Sequence, residues 1–260
     1  MSDKILEKAT GKSRQYKAIV SSDWNQCLAP TGPFDFISLN HPELSPHLAK
    51  IFQQYTSNMI SLGKATRQIQ GLLPGPITEE QMDAYLDQSL ITYQGVPDLI
   101  EWCLGKGILF MINTTAMMGC FQRIFAKGLL PPVPVLSAHP MIRYPKRGSD
   151  PHLYNLLEIQ DKGKNTEAAV RSWRIPRQKI ILIGDSGGDG PHFEWGAKCG
   201  AFLIGSMTKP SLESYCQDKG VAINARFGLS YARGEPRDLE KEMKVDFMDL
   251  SCVIEEFLAR

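Results

Sequence analysis

Two aspartates four residues apart on a glycine-rich turn, in Ile183-Gly184-Asp185-Ser186-Gly187-Gly188-Asp189-Gly190, make the most chemically suggestive string in this sequence. The string follows a short apolar run, and loops at the carboxyl ends of buried parallel strands are where sites form. Carboxylates placed there can converge on one hard cation. Mg²⁺ takes one or two carboxylates and completes its shell with water and substrate phosphate. The same string matches Gly-x-Ser-x-Gly, a turn that can present a nucleophilic serine, but that arrangement needs a histidine later in the chain. The one histidine after Ser186 is His192, only six residues on, and His139 reads as a loop histidine. Asp23, in Ser22-Asp23-Trp24-Asn25-Gln26-Cys27-Leu28, ends another apolar run on the same expected sheet edge. A carboxylate beside Mg²⁺ can attack a phosphoryl group. Asn113 and Thr114 end a third run and offer an amide or a hydroxyl to a phosphate oxygen. Lys162 and Lys164 open a helix, where an ammonium can neutralise phosphate and nucleophile together.

Those side chains meet only if a parallel sheet brings the runs side by side. Residues 16–22, 108–112, 179–183 and 201–204 are short apolar stretches bounded by glycine or polar residues, as strands buried on both faces are. Helical patterns at 97–104, 117–127 and 165–173 alternate with them, which predicts an α/β fold with a doubly wound parallel sheet. Residues 29–94 break the rhythm and read as helical throughout. Within them Thr78-Glu79-Glu80-Gln81 has the form of a capping box, with threonine and glutamine satisfying each other's backbone N–H. The proline-rich stretch 129–160 is expected to be a long loop or a short β excursion. The basic run Arg143-Tyr144-Pro145-Lys146-Arg147 reads as a solvated loop, and Lys50, Lys64 and Arg67 as surface charge on helices.

The chain has 260 residues, 43% of them hydrophobic, with 29 Lys plus Arg against 28 Asp plus Glu. That composition excludes wholesale disorder. It gives no general electrostatic reason to bind nucleic acid or an anionic membrane. Six scattered cysteines without a Cys-x-x-Cys pair read as reduced thiols of a cytoplasmic protein. No apolar run is long enough to predict a transmembrane helix.

Taken in order, these residues resemble the four motifs of the haloacid dehalogenase superfamily: a strand ending in Asp-x-Asp, a strand ending in Ser or Thr, a Lys, and a strand ending in Gly-Asp-x-x-x-Asp. The inserted helical stretch is similar to the C1 cap of the phosphoserine phosphatase-like branch. The resemblance implies a Rossmann-like core from residues 1–28 and 95–260 with a helical cap at 29–94. It implies a Mg²⁺-dependent phosphatase or phosphotransferase forming an aspartyl phosphate on Asp23. Its substrate would be a small phosphorylated metabolite, and the protein a monomer or homodimer. Asp23, the backbone carbonyl of Asn25, Asp185 and, directly or through water, Asp189 would hold the metal. Asn113 or Thr114, and Lys162 with Lys164 as the alternative, would face the phosphate. Two positions depart from the pattern. Cys27 replaces the threonine of the first motif. Asn25 replaces the second aspartate, which carries the proton in hydrolytic members, and an amide cannot do so. His192 is a candidate substitute carrier. The alternative reading is an impaired or non-hydrolytic relative that binds a phosphorylated ligand.

Overall fold

The computed structural model describes residues 15–56, 59–148 and 150–260. Seven strands form one sheet: β1 (Ala18–Ser22), β2 (Ile108–Met117), β3 (Val135–His139), β4 (His152–Asn155), β5 (Ile180–Gly184), β6 (Phe202–Thr208) and β7 (Ala225–Ser230). Their order is β4-β3-β2-β1-β5-β6-β7, and every neighbouring pair is parallel. The chain therefore steps outward from β1 to one edge, returns, and builds the other half from β5. The reversal between β1 and β5 opens a crevice at their carboxyl ends, where open α/β sheets place ligands.

Successive residues of the central strands feed two separate cores, one on each face of the sheet. Ala18, Val20, Ile181 and Ile183 point into one, and Ile19, Ile180 and Leu182 into the other. This period-two alternation explains why both strands read as unbroken apolar runs. Each valine, leucine or isoleucine among them contributes about 1.5–3 kcal/mol by leaving water. The helices α1 (Asp35–Asn40), α2 (Ser45–Thr56), α3 (Leu62–Leu72), α4 (Glu79–Ser89), α5 (Val96–Gly105) and α6 (Met118–Ala126) send apolar residues to the first core. So does the C-terminal α11 (Leu250–Ala259), which follows a one-turn α10 (Leu239–Glu242). The helices α7 (Asp161–Ser172), α8 (Gly190–Cys199) and α9 (Pro210–Asp218) cover the second.

The stretch 129–160 contains two strands of the sheet, β3 and β4, rather than a simple loop. The strand β4 is half-exposed at the edge, so its sequence, His-Leu-Tyr-Asn, lacks the apolar signal of a central strand. At the other edge β7 alternates half-buried and exposed residues for the same reason.

Helices α1 to α4 fill the interval between β1 and α5. Helix α4 starts at the capping box: Gln81 N–H donates to Thr78 Oγ1 (3.2 Å) and Thr78 N–H to Gln81 Oε1 (2.9 Å). This helix is ion-paired to α6. Arg123 donates to both oxygens of Asp83 (2.8 and 2.7 Å) and to Glu79 (2.6 Å). The basic segment 143–147 is not simply solvated. Arg147 also pairs with Glu79, and the Tyr144 hydroxyl donates to Thr78 O at 3.0 Å. A second tie comes from Glu158, whose carboxylate accepts from the first N–H groups of α3, Leu62 (3.0 Å) and Gly63 (3.1 Å). A carboxylate at a helix N-terminus is favoured by both hydrogen bonding and the helix dipole.

Candidate active site

Asp23 leaves β1 at the crevice, its N–H bonded to Ile183 O of β5 at 3.0 Å. The chain then turns sharply. Trp24 O accepts from the N–H groups of Leu28 (2.9 Å) and Ala29 (3.1 Å), and Gln26 adopts a left-handed φ of 59°. Non-glycine residues seldom hold that conformation outside sites that need it. The Asn25 side chain donates from Nδ2 to Thr31 O (3.1 Å).

Across the crevice β5 ends at Gly184, followed by Asp185 and a short 3₁₀ turn, Gly187–Asp189. Asp189 folds back under this turn: its Oδ2 accepts from the N–H groups of Asp185 (2.9 Å) and Ser186 (3.3 Å). Only glycine fits at 184, because a Cβ there would lie 2.6 Å from Asp189 Cβ. Ser186 is consumed in the same turn, its side chain accepting from Asp189 N–H. His192 bonds instead to Thr166 Oγ1, at 3.0 Å. Ser186 and His192 are thus engaged with other partners, which removes the serine-nucleophile reading.

Lys162, 1% exposed, reaches in from the start of α7, with its Nζ 2.5 Å from Asp189 Oδ1 and 3.1 Å from Asp23 Oδ1. Burial penalises its ammonium, but Asp189 and Asp23 outweigh that and hold its pKa far above the usual lysine range. Lys164 points away and pairs with Asp161 at 2.8 Å on the surface. A second ammonium, Lys209, enters from the end of β6 and contacts Asp185 Oδ2 and Gln26 Oε1. One oxygen each from Asp23, Asp185 and Asp189 lie within 4.8 Å of one another. Burial raises the Asp23 pKa against the pull of Lys162. Burial also pushes Asp185 up to about 7, opposed by Lys209 and reinforced by the other two carboxylates. Burial penalises Asp189 as well, yet Lys162 and the backbone N–H groups bring it below the usual carboxylate range.

Fully ionised, the three buried carboxylates would exceed the two ammonium groups by one negative charge. Asp185 Oδ1 is buried without a partner, and the contact of Asp23 Oδ1 is its ion pair with Lys162. An orphaned hard oxygen within 4.8 Å of two further carboxylates fits a divalent cation.

The cavity above these groups has a volume of about 370 Å³. The structure brings Asp23, Asn25, Lys162 and Asp185 to its wall, with Asp189 just beneath. It does not bring Asn113 or Thr114 there. Asn113 Nδ2 donates to Lys162 O (3.0 Å) and Thr166 Oγ1 (3.0 Å) on the buried side of β2, and Thr114 Oγ1 accepts from Ala116 N–H at 3.2 Å. The hydroxyl residue of this strand that lines the cavity is Thr115, hydrogen-bonded to Tyr55 of α2. Burial pushes the Tyr55 phenol up to about 12. Nothing in the sequence pattern singles out Thr115 or Tyr55. A lysine directly after a buried strand, in Thr208-Lys209-Pro210, is the signal that could have found Lys209.

His192 lies beneath the site rather than in it, 1% exposed, and burial drives its pKa down to about 3. A histidine that stays neutral when folded but titrates near 6.5 when unfolded favours folding above pH 6.5. It loses that contribution as pH falls toward 3. Unfolding free energies at pH 7 and pH 5 should therefore show wild type losing roughly 2 kcal/mol more than His192→Asn on acidification. Equal losses would refute the buried neutral imidazole.

No family model matches the sequence, and no curated protein does. Solved structures do, and they show the fold: the chain is folded like phosphoserine phosphatases and a HAD family hydrolase of known structure. It is similar to a phosphoserine phosphatase determined as a phospho-aspartyl intermediate analogue, at 16% identity and TM-score 0.64, over 92% of this chain and 99% of that one. It is also similar to a HAD family hydrolase from Salmonella enterica serovar Typhi, at 16% identity and TM-score 0.62, over 82% and 67% of the two chains. A probable phosphoserine phosphatase from Vibrio cholerae matches at 10% identity and TM-score 0.61, over 98% and 72%. Among the described residues no helix is long and apolar enough to cross a membrane, and the six cysteines are free.

Proposed function

We propose that this protein is a Mg²⁺-dependent phosphohydrolase or phosphotransferase that acts on a small phosphate monoester by covalent transfer to Asp23. The observation that carries the reading is the meeting of Asp23, Asp185, Asp189 and Lys162 at the strand-order reversal. Helices α1 to α4, within residues 29–94, would act as the cap over a core of residues 1–28 and 95–260. The six free thiols fit a cytoplasmic setting.

Asp23, Asp185 and the backbone carbonyl of Asn25 would hold the ion. Asp189 already spends its oxygens on Lys162 and two N–H groups, so it would orient rather than bind directly. When bound, the ion supplies Lewis-acid neutralisation of the phosphoryl oxygens. The Asp23 carboxylate attacks phosphorus, a carboxyl–phosphorus bond forms, and the ester P–O bond breaks as the departing oxygen takes a proton. Lys162 steadies the transferred group, and Thr115 is placed to donate to it. Water or an acceptor hydroxyl then attacks phosphorus and returns Asp23 as a carboxylate. Asn25 cannot provide the departing proton. Tyr55 lines the same cavity, keeps its proton at neutral pH, and is the donor available from the cap side.

Phosphate release from a panel of small esters should require added Mg²⁺ and vanish in Asp23→Asn. Acid-quenched enzyme should carry the phosphoryl group on the Asp23 peptide. Release that survives Asp23→Asn would end this reading. The second reading, a protein that traps phosphate, is favoured by Asn25, which cannot activate water for the second step. Stoichiometric label on Asp23 without continuing release would select it.

A further inference from the structure

Resting on the phosphate-site reading above, we infer that the organic part of the substrate carries no charge and presents an apolar face, so that a zwitterionic ester such as phosphoserine is disfavoured.

The inference comes from what is left of the cavity once the phosphate end is assigned. Among the described residues, the charged side chains of its wall are Asp23, Lys162, Asp185 and Lys209. Each is committed. Lys162 bridges Asp23 and Asp189, and Lys209 pairs with Asp185 and Gln26. The other polar side chains near the turn are uncharged, and Asn25 Oδ1 is buried without a partner. Ser211 Oγ accepts from Gly187 N–H at 3.1 Å, and Asn25 donates to Thr31 O. Away from the carboxylates the wall is Pro33, Phe52, Tyr55 and Ile159. Phe52 is held edge-on against Phe34, with ring centroids 6.2 Å apart.

Cations that could have answered a substrate carboxylate are turned elsewhere. Lys50, Lys64 and Arg67 lie exposed on α2 and α3 and do not line the cavity. Arg147 is paired with Glu79. An anion that could have answered a substrate ammonium, Glu158, is next to Ile159 in sequence, but its two oxygens are taken by the N-terminus of α3. A charged substituent would enter this space without a counter-ion, which is costly in a partly desolvated pocket. A hydrocarbon or aromatic group would instead bury apolar surface against Phe52, Pro33 and Ile159.

The test compares 2-phenylethyl phosphate with O-phosphoserine, both esters of primary alcohols, and the phosphonate isosteres of the two, with Mg²⁺ present. The expected result is at least about tenfold higher kcat/KM for the uncharged ester, and correspondingly tighter calorimetric binding of its phosphonate. The isosteres make the result independent of turnover. Equal or better handling of the phosphoserine pair would overturn the substrate class while leaving the phosphate site intact. If neither isostere nor inorganic phosphate binds, the phosphate-site reading fails and takes this inference with it.

Discussion

Replacing Lys162 by methionine is expected to destabilise the protein by about 3–5 kcal/mol and to abolish phosphoryl transfer. The ammonium is almost fully buried and is shared by two buried carboxylates, Asp23 and Asp189. Methionine fills a similar volume but supplies no charge, so the two acids are left facing each other across an apolar side chain. Removing one member of a buried ionic cluster costs several kcal/mol because the survivors are uncompensated. The effect should depend on pH in a definite direction. Without Lys162, the Asp23 pKa, already raised by burial, rises further and that of Asp189 rises above its unfolded value. The folded state then binds more protons than the unfolded one, and stability falls as pH rises. The deficit in chemical denaturation should accordingly be larger at pH 8 than at pH 5. Adding Asp189→Asn should recover part of the stability and none of the activity. A Lys162→Met variant within about 1 kcal/mol of wild type would show that the cluster is not held by this charge.

Converting Asn25 to aspartate is expected to raise the turnover of alkyl phosphate esters by about 10²–10⁴, the usual value of general acid–base help. Asn25 lines the cavity together with Asp23, and its Oδ1 is buried with no partner, so an oxygen acceptor already stands where a carboxyl would. The substitution forfeits the donation from Asn25 Nδ2 to Thr31 O and should cost about 1 kcal/mol of stability. The gain should be much smaller for aryl esters, whose departing oxygen needs no proton. Steady-state assays on matched alkyl and aryl esters would separate the two cases. The gain is expected because a phenol raised to about 12 is a weak acid, and a gain below about threefold on alkyl esters would mean that Tyr55 already carries the proton efficiently. Tyr55→Phe should then slow alkyl but not aryl turnover.

Why the site is partly visible in sequence follows from where its parts sit. Asp23, Asp185 and Asp189 follow strands buried on both faces, and such strands announce themselves as apolar runs. A residue directly after one is therefore assigned to the sheet's carboxyl edge without coordinates. Edge strands give no such signal, which is why β4 and β7, with exposed alternate residues, are not apparent in the sequence. The second strand shows a different limit. Which of Asn113, Thr114 and Thr115 meets the cavity depends on strand parity and on the register shift between Asn113 and Met117. Composition does not encode either.

From the chain alone came the layered α/β class, the helical block between the first two strands, the acidic turn and the asparagine that breaks its pattern, because each is written in local spacing. Tertiary structure decided that Lys162 faces inward while Lys164 does not, that Lys209 and Tyr55 join the wall, and that, among the described residues, the wall of the cavity away from the carboxylates carries no charged side chain. Those outcomes depend on which distant residues share a buried volume, and burial with its charge balance belongs to the assembled packing rather than to any stretch of sequence.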